Sequence, residues 1–76
     1  MTRMPRVTGR ELVRFLLAQG FIEDRPSGSH LTRWHEVRQL SVTVPVHRNA
    51  DMGRGLAVHI LKDAGFSIED YVRLRR

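Results

Sequence analysis

Leu40-Ser41-Val42-Thr43-Val44-Pro45 alternates apolar with hydroxyl-bearing residues and then halts at a proline. That period of two marks a strand with one face on a core and the other in water, and Pro45 stops the sheet. Reading backwards, the chain breaks loosely at Val37 to Gln39, runs from His30 to Glu36, turns at Pro26-Ser27-Gly28-Ser29, and runs again from Phe21 to Arg25. Proline and glycine at the first break, with β-branched residues in the last run, predict an antiparallel three-stranded meander. In the middle run, period two groups His30 with Thr32 and Trp34 against Leu31, Arg33 and His35. Its two large apolar residues therefore lie on opposite faces unless a bulge intervenes.

A helix is expected on each side of the meander. Thr8 is placed to cap the first, Glu11 completes a capping box, and Val7 can staple onto Leu12. Leu12, Val13, Leu16 and Leu17 recur at helical spacing, and Gly20 supplies a left-handed stop. After Pro45, Val46 to Gly53 is polar and turn-rich, a connection of functional length. Leu56, Ala57, Ile60, Leu61 and Ala64 then mark a second helix stopped by Gly65. Ser67-Ile68-Glu69-Asp70 caps a short last turn in which Phe66 and Tyr71 staple. The expected class is α+β: helix, three-stranded antiparallel sheet, helix, with two amphipathic helices on one sheet face and the other face wet.

With 76 residues the chain is read as one domain, 1–76, able to bury only about 60% of its unfolded surface. It has no cysteine, which removes a disulfide framework and any thiolate metal site and fits a reducing cytoplasm. No apolar run reaches the roughly 20 residues of a membrane span, and Met1 to Pro5 lacks the apolar stretch of a signal peptide. Thirteen basic residues against eight acidic give a net charge of +5, and all the basic residues but Lys62 are arginine. Guanidinium forks bind phosphate bidentately, so a polyanion or an acidic protein partner is indicated.

The histidines are the candidates for chemistry. His59 reads as a packed or solvated helix residue, and His35, beside Glu36 near a turn, as exposed. His30 follows Gly28-Ser29, a pair that lets a ligand backbone approach, and its imidazole stands where a turn becomes a strand. It is either an ordinary surface histidine or a proton carrier beside a phosphate backbone. His47, with Arg48 next to it, follows the third strand at the end of the sheet where His30 begins the second. A base and an acid could thus share one phosphodiester. His30, His47 and Asp51 match no known metal-ligand spacing, and the arginines around them oppose a cation, so no metal and no other cofactor is expected.

Taken together, these segments resemble the HicA-type toxins, small bacterial mRNA interferases of toxin–antitoxin modules. The likeness rests on Thr8-Gly9-Arg10-Glu11-Leu12, Gly20-Phe21, Gly28-Ser29-His30, Val44-Pro45-Val46-His47, and Gly55-Leu56 leading to Ile60-Leu61-Lys62-Asp63-Ala64-Gly65-Phe66. It implies a fold like a double-stranded-RNA-binding domain, metal-independent endonucleolytic cleavage of mRNA, and inhibition by a HicB-type antitoxin. The family's functional histidine falls on His30. Leu31-Thr32-Arg33-Trp34 stands where some members carry a second histidine or an aromatic pair. In this reading His30 is the general base for a 2′-hydroxyl and His47 a second acid or base. Gly28, Ser29, Arg25, Arg33 and Arg48 bind the RNA. Two other readings use the same residues: a module that binds structured RNA without cutting it, and a basic interaction protein for an acidic partner.

Overall fold

The computed structural model describes residues 2–27, 30–35, 37–45 and 51–75, with residues 23–27 and 30–34 described through their backbone. Local sequence sets the ends of its helices. In the first helix, α1 (Gly9–Ala18), the Glu11 N–H donates to Thr8 Oγ1 at 3.1 Å and the Thr8 N–H to Glu11 Oε1 at 2.9 Å, closing the expected capping box. Such a cap satisfies donors that the helix itself leaves open. The helix stops at Gly20, whose φ of 100° is left-handed. There the Gly20 N–H donates to the Leu17 carbonyl at 3.1 Å and the Phe21 N–H to the Leu16 carbonyl at 3.0 Å, a Schellman end.

The same device ends the second helix, α2 (Arg54–Asp63). Gly65 takes a φ of 91°, its N–H donates to the Lys62 carbonyl at 3.0 Å, and the Phe66 N–H donates to the Leu61 carbonyl at 2.8 Å. Both helices thus end in a Gly-Phe pair whose phenylalanine is buried. The last turn expected from Ser67 to Asp70 is a seven-residue helix, α3 (Ile68–Leu74), capped reciprocally by Ser67 and Asp70. Phe15 meets Phe66 and Tyr71 edge-on at 5.2 and 4.8 Å, which joins α1 to α3.

The meander forms as expected, with different limits. Strands β2 (Ile22–Ser27), β3 (His30–His35) and β4 (Leu40–Pro45) make one antiparallel sheet in the order β2-β3-β4. Pro26, read as part of the turn, lies in β2; that strand is an edge, where a missing N–H is tolerated. A bulge does interrupt the meander, though in β2, where the register shifts between Glu23 and Arg25. In β4, Val42 and Val44 are buried and Ser41 and Thr43 exposed, so the alternation holds and the helices cover one face.

A further pairing escaped the sequence. Val7–Thr8, here β1, pairs antiparallel with β5 (Asp51–Met52), Val7 opposite Met52 and Thr8 opposite Asp51. Thr8 caps α1 and Gly53 precedes α2, so this clasp joins the starts of the two helices. Arg54 donates from Nε to the Met4 carbonyl at 3.0 Å, and Met4 and Val7 are buried. The core between helices and sheet includes Val7, Leu12, Leu16, Phe21, Val44 and Leu61, all fully enclosed.

Candidate functional site

His30 opens β3 between the two edge strands, level with Ser27 on one side and Pro45 on the other. Residues level across strands share a face. His30, Thr32 and Trp34 are level with Pro45, Thr43 and Ser41, whereas Leu31, Arg33 and His35 are level with Val44, Val42 and Leu40. Because Val42 and Val44 are buried and Ser41 and Thr43 exposed, His30 belongs to the face that the helices leave open. Ile22, level with Trp34, is 56% exposed and marks the same face. Arg25 is level with Thr32 and shares that face, while Arg33, level with Glu23, lies on the helix side. The structure therefore brings Arg25 and His30 to one surface and separates Arg33 from them. Gly28, Ser29, His47 and Arg48 lie outside the described residues, so the expected meeting of His30 and His47 does too.

The far end of β3 holds a histidine whose position beside a turn suggests an exposed residue. His35 is half-buried rather than exposed. The Arg38 N–H donates to its Nδ1 at 3.1 Å, so in the neutral ring the proton sits on Nε2, which donates to the Gln19 carbonyl at 3.2 Å. Its ring also packs edge-on against Phe21 at 5.0 Å. Arg38 repeats the arrangement at the other helix: Nη1 donates to the Ala64 carbonyl at 3.3 Å and the guanidinium stacks over Phe66 at 4.6 Å. Gln19 and Ala64 are the C-cap residues of α1 and α2. One hairpin turn thus supplies a donor to each helix C-terminus, where carbonyls lack helical partners and the dipole is negative. The detectable signal was two Gly-Phe stops with a histidine and an arginine flanking a turn between them.

These contacts fix the far end of the strand that carries His30. Both helices run from the β1–β5 clasp to the β3–β4 turn, and Pro45, the last residue of β4, is level with His30. Around the clasp, Arg3, Arg6 and Arg10 are exposed, and Arg6 reaches only a long 4.0 Å pairing with Asp51. His59 is an exposed helix residue 3.3 Å from Asp63, as its position suggested. Among the described residues, no group of three or more histidines or acids gathers to hold a metal, and no helix is long and apolar enough to cross a membrane.

A groove of about 510 Å³ runs between α1 and α3, lined among others by Arg14, Phe15, Ala18, Tyr71 and Leu74. It belongs to the helix layer and holds no histidine. Burial pushes the Tyr71 hydroxyl above its ordinary range. At the start of α3, the Ser67 backbone N–H, assisted by Arg73, holds the Asp70 carboxyl below the usual carboxylate range. Both groups serve α3 and stand apart from the His30 face.

A family model described as the HicA toxin of bacterial toxin–antitoxin systems matches residues 9–66. The match runs from the first residue of α1 to the phenylalanine that closes α2, so it spans β2, β3 and β4 and leaves α3 outside. No curated protein matches the chain.

Proposed function

Because the chain belongs to the HicA toxin family, and so acts as the toxin of a pair with an antitoxin, we propose that it is a metal-independent endoribonuclease that cuts mRNA in the cytoplasm with His30 as general base. The observation that carries this reading is the position of His30: it falls within the family match, on the sheet face that the helices leave open. An open face admits a polynucleotide strand where a closed pocket would not.

Neutral His30 takes the proton of a ribose 2′-hydroxyl. The freed oxygen attacks the adjacent phosphorus, the bond from phosphorus to the 5′-oxygen breaks, and that oxygen leaves with a proton from His47 or water. The products are a 2′,3′-cyclic phosphate and a 5′-hydroxyl end. The requirement for a 2′-hydroxyl restricts the reaction to RNA. Gly28 and Ser29 give the backbone close approach before His30, and arginines offset the charge that gathers on the phosphorane. A HicB-type antitoxin blocks the toxin by covering this basic surface.

The test is cleavage of an end-labelled RNA in the presence of a chelator by the wild-type chain and by His30→Ala. A positioned base contributes about 10²–10⁴-fold, and the variant loses that factor while still retarding the RNA. Wild-type products carry cyclic phosphate ends. Cleavage by His30→Ala at the parental rate sinks the assignment of the base. RNA retarded by the wild-type chain but never shortened identifies a binding module instead.

A further inference from the structure

The irregularity in β2 decides which arginine stands beside His30. Strict alternation from Ile22, which is level with Trp34, would put Asp24 on the open face and Arg25 on the helix side. The register instead shifts between Glu23 and Arg25, so that Arg25 is level with Thr32 and Ser27 with His30. One extra residue, Asp24, thereby moves Arg25 and Ser27 onto the face that His30 occupies. Bulges are found where a strand has to re-aim a residue next to a site.

Three markers identify that face independently of the bulge: exposed Ser41 and Thr43 in β4, and exposed Ile22 before the shift. Arg33 is nearer to His30 along β3 than Arg25 is along the chain, yet it is level with Glu23 and with buried Val42. Closeness in sequence therefore does not decide which cation shares the face of His30. Arg25 is the diagonal cross-strand neighbour of His30, and such neighbours stand about 7–8 Å apart. That gap suits a phosphodiester whose 2′-hydroxyl meets one residue and whose non-bridging oxygens meet the other. Arginine fits the second task because its planar fork pairs two phosphate oxygens at once and stays charged.

We propose that Arg25, carried to the open face by the bulge at Asp24, binds the non-bridging oxygens of the phosphodiester on which His30 acts. The proposal rests on the ribonuclease reading but is testable apart from it. Arg25→Gln lowers chelator-resistant RNA cleavage about 10²–10³-fold, the usual loss when one preorganised donor is removed. It also reduces by about one the slope of log affinity against log salt, because one phosphate contact is gone. Adding Thr32→Arg to Arg25→Gln returns a guanidinium to the same face and recovers part of both losses. Arg33→Gln has the smaller effect on each readout. Cross-strand contacts in NMR spectra of the wild-type chain pair Arg25, and not Asp24, with Thr32.

Full cleavage and an unchanged salt slope in Arg25→Gln overturn the proposal, as does an equal or larger loss in Arg33→Gln, or a spectrum that pairs Asp24 with Thr32. Loss of cleavage in His30→Ala together with none in Arg25→Gln removes this proposal and leaves the base in place. Full cleavage by His30→Ala removes the base and with it the shared phosphodiester, even where Arg25→Gln reduces the salt slope.

Discussion

Replacing His35 by alanine removes three interactions at once: the bond from Nε2 to the Gln19 carbonyl, the bond that Nδ1 accepts from Arg38, and the edge-on contact with Phe21. Each hydrogen bond is worth about 0.5–1.5 kcal/mol and the aromatic pair a similar amount. Because the ring is half-buried, the lower halves of those ranges apply, giving about 2 kcal/mol. For a domain of this size that corresponds to a fall in Tm of about 8–16 °C. The assay is thermal unfolding of purified wild-type and His35→Ala chains, followed by circular dichroism. Gly20→Ala supplies a second arm. A Cβ there would stand 2.9 Å from Nε2 of His35 on a backbone with φ of 100°, so it costs about 1–2 kcal/mol of backbone strain and also displaces the ring. In the His35→Ala background only the strain remains, and the two substitutions are less than additive by about 1 kcal/mol. A loss under about 0.5 kcal/mol for His35→Ala refutes the claim that this ring fastens β3 to the end of α1. Strict additivity with Gly20→Ala refutes the claimed contact.

Thr8→Ala opens the capping box of α1 and costs about 1 kcal/mol, read from urea unfolding; no change would mean that the clasp holds the start of α1 without the cap. Asp70 has its pKa lowered in the folded chain, so it contributes stability above its unfolded pKa and loses it as the pH falls through the folded value. Wild type is therefore expected to lose more stability than Asp70→Asn between about pH 5 and pH 2, and parallel denaturation curves over that range would dismiss the Ser67 and Arg73 contacts as the cause.

What the sequence disclosed was local. Thr8 with Glu11, Ser67 with Asp70, and the glycines at 20 and 65 each act within a few residues, and each does in the fold what its position suggests. The alternation through Val42 and Val44 was equally plain, because a half-buried strand repeats every second residue. The features that stayed hidden depend on partners far along the chain. Two residues at Val7–Thr8 carry no periodicity, and their pairing exists only because Asp51–Met52 arrives beside them. Pro26 suggests a turn until its strand is known to be an edge. The half-burial of His35 is hidden because its partner is the carbonyl of Gln19, and backbone carbonyls have no signature in a sequence. For the candidate site, Gly28-Ser29-His30 is visible in the sequence, whereas the sheet faces of Arg25 and Arg33 follow only from the register of β2.

The β1–β5 clasp has a consequence in time. β2, β3 and β4 pair with neighbours in the chain, so their hairpins close short loops and form within microseconds. Val7 and Met52 must instead meet across the whole length of α1 and the meander, which makes their closure the entropically slow event. A pairing only two residues long is also the first to reopen, releasing residues 2–8 while the three-stranded sheet remains intact. The molecule thus assembles the strand of His30 early and brings the starts of its two helices together last.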